Sequence, residues 1–267
     1  MIACRPFISL FRRIFRLSAF ILLTTFFLFL GSFLRIYPFD NAKSLRLRAR
    51  CAQWWAGLSC SLLGIHCTST GSFEHGTAYF MVSNHCSYLD ILVIGCCSPS
   101  VFISKKEVAS WPLFGWLTRL GGTVFVDRAS KVASVKSFQE IKKRLNNNIS
   151  VVLFPEGTTN DGITVMDFKS AFFNVPIETA TPILPISLSY SHINREPVTP
   201  DTIDTIAWHG EMPLLPHFWN LLGLKRIDVS VHFHPALTDV IQDRKELSWI
   251  TCKTVRAGCL SLRSKIP

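Results

Sequence analysis

The chain has 267 residues, of which 48% are hydrophobic and 17% are charged. This length suits one sizeable α/β domain plus an anchor, and the composition is too apolar for a disordered protein. The net charge of +10 is uneven, because residues 1–50 carry nine Lys or Arg and one acid, and the remainder carries nineteen bases and seventeen acids. A basic arm can bind nucleic acid, but these bases flank an apolar run, which favours anionic lipid headgroups instead.

The nine cysteines include no C-x-x-C pair. An odd count does not suit a secreted disulfide framework, and zinc sites usually show paired spacings. His232 and His234 share one face of a predicted strand but lack a third ligand. We therefore expect reduced, mostly buried thiols in a reducing compartment and no metal site.

An apolar segment near the N-terminus predicts a membrane anchor. Residues 17–34, LSAFILLTTFFLFLGSFL, contain no charge and lie between Arg16 and Arg35. As a helix this segment is roughly 27 Å long, close to the thickness of a hydrocarbon core. A secretory signal peptide would be shorter and would end at a small-residue cleavage site. Because bases lie on both sides, the positive-inside rule is balanced, and a spanning helix and one that dips into a single leaflet both remain open.

A second helix is predicted over residues 42–63. Its bases Lys43, Arg46 and Arg50 can reach lipid headgroups, and tryptophan favours the membrane interface. The helix is therefore either interfacial or a plain amphipathic helix packed on a domain. We assign residues 1–66 to membrane-anchoring helices and residues 67–267 to a second domain. The predicted apolar stripe consists of Leu47, Cys51, Trp54, Leu58 and Leu62.

From Thr77 onward, short apolar runs alternate with helical stretches. Residues 130–147 predict an amphipathic helix that ends at the Asn triplet 146–148, and the Pro-containing stretch 191–216 predicts a loop. The alternation indicates an α/β fold with a mixed, mostly parallel sheet flanked by helices. In such folds, chemistry gathers at the carboxyl ends of the strands. The predicted strands are residues 78–83, 101–104, 123–126, 151–154, 183–189 and 227–233.

Three polar motifs follow predicted strands. In SNHCSYLD, His85 and Asp90 lie across a strand-to-helix turn, so the carboxylate can accept one imidazole N–H and leave the other nitrogen basic. The turn FPEGTT, residues 154–159, exposes backbone N–H groups that can bind phosphate or an oxyanion. The motif GTVFVDR ends at Arg128, whose planar guanidinium can hold phosphate, and Lys105 offers a further cation. Each motif alone is also compatible with a cap, a turn or a surface ion pair.

Together, and in this order, the motifs resemble the 1-acylglycerol-3-phosphate acyltransferase family, also called lysophosphatidic acid acyltransferases or PlsC-like enzymes. His85 and Asp90 match its N-H-x-x-x-x-D motif, and residues 122–128 match G-x-x-F-[IV]-D-R. Residues 154–158 match F-P-E-G-T, and residues 182–186 match the apolar proline motif. The ordered matches and the N-terminal anchor identify residues 67–267 as a glycerolipid acyltransferase domain.

The resemblance implies a membrane-bound enzyme that transfers a fatty acyl group from acyl-CoA or acyl-carrier protein to a lysolipid hydroxyl. With 1-acylglycerol-3-phosphate as acceptor, the product is phosphatidic acid. It also implies that the enzyme lies in the inner or cytoplasmic membrane with its active site facing the cytoplasm. It further implies that the enzyme uses no cofactor or metal and binds no nucleic acid. His85 would be the general base, oriented by Asp90. The substrate-binding residues it implies are Asn84, Lys105, Arg128, Glu156, Gly157 and Thr158.

One position departs from the family pattern. The third motif usually ends E-G-T-R, whereas this chain has Thr159. The lost cation weakens the case for a phosphate-bearing acceptor, and the sequence also resembles branches that acylate other lysolipids such as lyso-ornithine lipid. Lysophosphatidic acid stays the first prediction and lyso-ornithine lipid the alternative. Cys86, next to the predicted base, is an alternative nucleophile for a covalent mechanism. A serine hydrolase is a second enzyme class, but the chain lacks the G-x-S-x-G motif of such enzymes. A non-catalytic membrane tether is the remaining alternative.

Overall fold

The computed structural model describes residues 4–36, 41–74, 76–111, 114–127, 131–238 and 242–264. Helices and strands alternate through most of the chain. The helices are α1 Cys4–Ile36, α2 Asn41–Leu63, α3 Leu89–Cys97, α4 Phe114–Leu120, α5 Lys131–Asn146, α6 Asn174–Thr179, α7 Leu214–Leu222 and α8 Arg244–Arg263. The strands are β1 Ile65–Thr70, β2 Phe80–Ser83, β3 Ser100–Lys105, β4 Val124–Val126, β5 Ser150–Leu153, β6 Ile183–Ile193, β7 Glu196–Pro197 and β8 Ile227–Phe233.

The strands form one sheet in the order β1-β8-β6-β2-β5-β3-β4, with β7 paired to β6. Strands β6, β2, β5, β3 and β4 run parallel, and β8 is antiparallel to β6. Strand β1 runs parallel to β8 at the edge. The predicted α/β fold with a mixed, mostly parallel sheet is therefore confirmed.

The predicted strands are all present, with small shifts at their ends, but several other elements were not predicted. Strand β1 reads IHCTST and buries only its first residue fully, so it carries no apolar run. The amphipathic helix α8 covers the sheet near the C-terminus. The stretch predicted as a loop over residues 191–216 holds the end of β6, all of β7 and the start of α7, so that prediction was partly wrong.

Helix α1 is much longer than its apolar run, and among the described residues it alone is long and apolar enough to cross a membrane. One face packs on the protein, where Phe20 and Phe27 are buried and the Trp55 indole donates to Thr24 Oγ1 at 3.2 Å. The opposite face is a row of exposed apolar side chains. They are Phe11, Phe15, Leu22, Phe26, Phe29 and Phe33.

Two arginines fasten α1 to the C-terminal end of α7. Arg12 Nη1 donates to the Gly223 carbonyl at 2.7 Å, and Arg16 donates to the carbonyls of Leu222 and Leu224. Carbonyls at a helix C-terminus lack partners within the helix and attract cations. The predicted boundary at residue 66 falls inside β1, and side chains of α1 and α2 share a core with the sheet. The division into two regions stays a prediction.

Helix α2 buries a face that overlaps the predicted apolar stripe only in part. Cys51 of the predicted stripe is buried, but Trp54 and Leu58 are exposed, and Ala56, outside the stripe, is buried. Small side chains allow close approach to α3, since a Cβ added at Gly95 would lie 3.4 Å from the Ala56 Cβ. The stripe prediction was partly wrong because it weighted large apolar residues over small ones. The buried residues of α2 are Ser44, Leu45, Ala49, Cys51, Trp55, Ala56, Ser59, Cys60 and Leu63.

Candidate active site

The first two motifs meet where β2 and β5 end. These strands are parallel, with Val82 opposite Leu153, so the chain segments that leave them emerge side by side. The imidazole of His85 stacks on the ring of Phe154, with centroids 4.0 Å apart and planes inclined by 12°. The predicted His motif and Glu-Gly-Thr turn therefore form one site.

His85 and Asp90 make the contact that their spacing predicts. His85 Nδ1 lies 2.8 Å from Asp90 Oδ2, which also accepts the backbone N–H groups of Cys86 at 2.8 Å and Ser87 at 3.0 Å. The carboxylate is 0% exposed and the imidazole 16% exposed. A buried carboxylate that accepts several hydrogen bonds fixes the orientation of the ring and leaves Nε2 as the nitrogen that a substrate can reach.

Tyr190 on β6 is a partner of Asp90 that the sequence did not reveal. Its hydroxyl donates to Asp90 Oδ1 at 2.8 Å. Burial and the neighbouring carboxylate hold the pKa of Tyr190 well above its usual value, so the phenol keeps its proton. No local signal marks this residue, because it lies in a run of buried strand side chains far along the chain from the motif.

Asn84 and Glu156 hold the His85 loop from two sides. Glu156 Oε1 accepts the His85 N–H at 2.7 Å, and its Oε2 accepts the Met166 N–H at 2.9 Å. Burial raises the pKa of this carboxyl group. The Asn84 amide donates to the Leu188 carbonyl and accepts from the Leu188 N–H, both at 2.9 Å. The polar groups of Asn84 and Glu156 are thus hydrogen-bonded within the protein, and direct contact with substrate stays a prediction for both residues.

The Glu-Gly-Thr turn brings backbone N–H groups to the same edge. Gly157 has φ of 79°, in the left-handed region that favours glycine, and its N–H donates to the Phe154 carbonyl at 3.1 Å. Asn160 N–H donates to the His85 carbonyl at 3.1 Å and connects the turn to the loop that carries His85. Within the described chain, the N–H groups of Thr158 and Thr159 have no acceptor. Thr158 is exposed.

Cys86 is poorly placed to act as a nucleophile. The side chain is 3% exposed, and its Sγ faces Asp90 Oδ1 at 3.9 Å. Burial, followed by the charges of Asp90 and Glu156, raises the pKa of this thiol well above its usual value. A buried thiol with a raised pKa stays protonated and inert.

Comparison with known proteins identifies the family. A family model described as Acyltransferase matches residues 64–189. The chain is 33% identical to the lyso-ornithine lipid O-acyltransferase of Rhizobium meliloti over 79% of this chain and 75% of the relative. The chain belongs to the PlsC-like lipid acyltransferase family.

Two further relatives and one solved structure agree with that assignment. The lyso-ornithine lipid O-acyltransferase of Pseudomonas aeruginosa is 30% identical over 79% of this chain and 78% of the relative. The 1-acyl-sn-glycerol-3-phosphate acyltransferase of Neisseria gonorrhoeae is 28% identical over 60% of each. The crystal structure of the 1-acyl-sn-glycerophosphate acyltransferase PlsC from Thermotoga maritima matches with a TM-score of 0.68 over 97% of both chains at 21% identity, which supports the fold.

The structure places one of the two predicted phosphate-binding cations of this acyltransferase. Lys105 is exposed at the carboxyl end of β3. The next residue, Lys106, is paired with Asp127 at 3.0 Å. Arg128 lies outside the described residues. Their roles in holding an acceptor stay predictions.

An apolar pocket of the acyltransferase has a volume of about 170 Å³. Its walls come from α2, α3, β3, α4 and α7, and Tyr88 and Leu89, which closely follow His85 in the chain, are part of its lining. A lining of this kind suits a hydrocarbon chain. Other lining residues are Trp55, Leu92, Phe102, Leu117 and Phe218.

The segment around residue 208, predicted as part of a loop, lies against the candidate active site. Trp208 N–H donates to the Cys86 carbonyl at 2.8 Å, and Tyr88 Oη lies 2.9 Å from His217 Nδ1. Burial lowers the pKa of His217. This segment therefore supports the His85 loop, a role that only its unusual run of Trp, His and Phe could have suggested.

Proposed function

We propose that this acyltransferase moves a fatty acyl group from a thioester carrier onto the hydroxyl of lyso-ornithine lipid. Two relatives at 30% identity or more over about four fifths of the chain carry that activity in their names. Thr159 stands where a phosphate-binding arginine is expected, which favours an acceptor without a phosphate. The preference between the two acceptors is thereby reversed from the one that the sequence motifs alone supported.

The contact between His85 and Asp90 is the observation that carries the reaction type. Nδ1 is held by the carboxylate, so Nε2 accepts the proton of the acceptor hydroxyl. The oxygen attacks the thioester carbonyl, a C–O bond forms, and the C–S bond breaks. The proton on Nε2 then passes to the departing thiolate. No covalent acyl-enzyme is required, and the burial of Cys86 supports direct transfer.

The turn after β5 supplies the charge stabilisation that this attack needs. The N–H groups of Thr158 and Thr159 lack acceptors within the described chain and follow the left-handed Gly157. Such groups stabilise a developing oxyanion without having to reorganise. The acyl chain would lie in the apolar pocket that Tyr88 helps to line.

The exposed row of Phe and Leu on α1 supports a membrane position for the enzyme. On α2, exposed Trp54 and Leu58 extend the apolar surface. Acyl-CoA or acyl-carrier protein as donor places the active site on the cytoplasmic face of the inner or cytoplasmic membrane. Reduced thiols agree with that compartment.

Lysophosphatidic acid is the second candidate acceptor. The Neisseria gonorrhoeae relative carries that activity in its name, and Lys105 is exposed at the carboxyl edge of the sheet. A non-catalytic tether is disfavoured, because such a protein has no use for a histidine whose ring is held by a buried carboxylate.

The test is acyl transfer by the purified protein in detergent, with labelled acyl-CoA and acyl-carrier protein offered in parallel. Lyso-ornithine lipid and lysophosphatidic acid are supplied separately at equal surface fraction. We expect transfer to lyso-ornithine lipid, a loss of about 10²–10⁴-fold in His85→Ala, and a gain of lysophosphatidic acid acylation in Thr159→Arg. Transfer to lysophosphatidic acid alone would contradict the proposed acceptor, and transfer that survives His85→Ala would contradict the mechanism.

A further inference from the structure

Three cysteines that are scattered in the sequence lie together in the fold. Cys67 on β1 and the adjacent Cys96 and Cys97 at the end of α3 place their sulfur atoms within 4.8 Å of one another. Cys67 Sγ and Cys97 Sγ are 3.8 Å apart. All three side chains are half-buried, so an ion can reach them from solvent.

The two helix thiols share one acceptor. Cys96 Sγ donates to the Val93 carbonyl at 3.1 Å, and Cys97 Sγ donates to the same carbonyl at 3.3 Å. The three clustered sulfurs therefore come from two elements, β1 and the last turn of α3.

The spacing fits a metal–thiolate site better than a disulfide. With Zn–S bonds of about 2.3 Å, neighbouring sulfurs of a tetrahedral site are ~3.8 Å apart, and Cys67 and Cys97 have that separation. A disulfide requires roughly 2.05 Å and an oxidant, which a reducing compartment does not supply.

We propose that Cys67, Cys96 and Cys97 bind one Zn²⁺ ion, with a water molecule as the fourth ligand. Three thiols lose their protons to solvent as three Zn–S bonds form, and the ion offsets two of the three negative charges. The ion lies at the far end of α3 from Asp90, which occupies the first turn of that helix. It therefore fastens β1 to α3 and takes no part in acyl transfer.

The expectation of no metal site rested on the missing C-x-x-C spacing. Here the ligands are one adjacent pair and one single residue, and the fold brings Cys67 on β1 next to the end of α3. A pattern of that kind becomes visible only in the fold.

The test uses the reduced, metal-free full chain in detergent, titrated first with Co²⁺ and then with Zn²⁺. We expect one Co²⁺ per chain, with a thiolate-to-cobalt charge-transfer band and tetrahedral ligand-field bands that Zn²⁺ abolishes. Zn²⁺ should also raise the Tm and protect three of the nine thiols from a thiol reagent.

Variants separate the site from general thiol chemistry. Cys67→Ser and Cys97→Ser should lose the charge-transfer band, whereas Cys51→Ser, a buried cysteine outside the cluster, should keep it. Absence of the band at one equivalent, its persistence in both cluster variants, or a Cys67–Cys97 disulfide in freshly isolated protein would overturn the proposal. If a cluster variant does not fold, the number of thiols that Zn²⁺ protects in the unaltered chain decides: three supports the site, and fewer refutes it.

Discussion

Replacing Tyr190 with phenylalanine removes one hydroxyl group from the support of the catalytic pair. Asp90 Oδ2 keeps three donors, but Oδ1 is left with the Cys86 thiol at 3.9 Å. A hydrogen bond to a buried charge contributes about 1.5–3 kcal/mol. For a chain of this size that loss lowers the Tm by roughly 3–12 °C. If the whole energy is also lost in the transition state, kcat falls by about 10- to 150-fold.

The assay compares kcat, KM and Tm of Tyr190→Phe with those of Tyr79→Phe. Tyr79 is an equally buried tyrosine whose hydroxyl accepts the Glu74 N–H at 3.2 Å, away from the catalytic pair. We expect a lower kcat with an unchanged KM in Tyr190→Phe alone, because Asp90 orients the base and does not bind lipid. Equal kcat and Tm values in the two variants would refute the view that Tyr190 positions Asp90.

Three other changes test the structure further. Cys86→Ser should keep kcat within a few-fold, since the thiol is buried and protonated; a complete loss measured in the same acyl transfer assay would favour a covalent route. Gly157→Ala should destabilise the turn by about 1–2 kcal/mol, because φ is 79°, and should lower kcat; unchanged kcat and Tm would contradict this. Burial and His232 lower the pKa of His234 from 6.5 to about 4. Between these two pH values the unfolded chain binds a proton that the folded chain does not bind. The free energy of unfolding therefore decreases as the pH falls from 6.5 to 4. The fall in Tm from pH 6.5 to 4 should be smaller in His234→Asn, and an identical fall would contradict the assignment.

The sequence alone predicts those contacts of the site that form between residues close together in the chain. His85 and Asp90 lie on one strand-to-helix turn, so their spacing alone predicts the contact. The Glu156 motif follows another strand of a parallel sheet, and the rule that carboxyl ends share an edge brings it to the same place. The expected fold class came from alternation of apolar runs, which buried parallel strands produce.

What the sequence could not give is packing between distant elements. Tyr190 reaches Asp90 only because β6 pairs with β2, and neither residue signals the other. The buried face of α2 depends on the fit of Ala56 against α3, which residue size and period do not reveal. Strand β1 is half polar at the edge of the sheet, so it lacks the apolar run that marks a buried strand.

The hydrogen bonds from Arg12 and Arg16 to the carbonyls around Gly223 have a consequence for the route by which lipid acceptors reach the enzyme. Because these hydrogen bonds hold α1 against the sheet domain, α1 cannot act as a flexible tether. With α1 in the lipid layer, the domain then keeps a fixed height and tilt relative to that layer. Acceptors must then arrive by lateral diffusion in two dimensions. We expect the rate to follow the mole fraction of acceptor in the layer, and to fall under surface dilution with inert lipid even when the bulk amount of acceptor is constant.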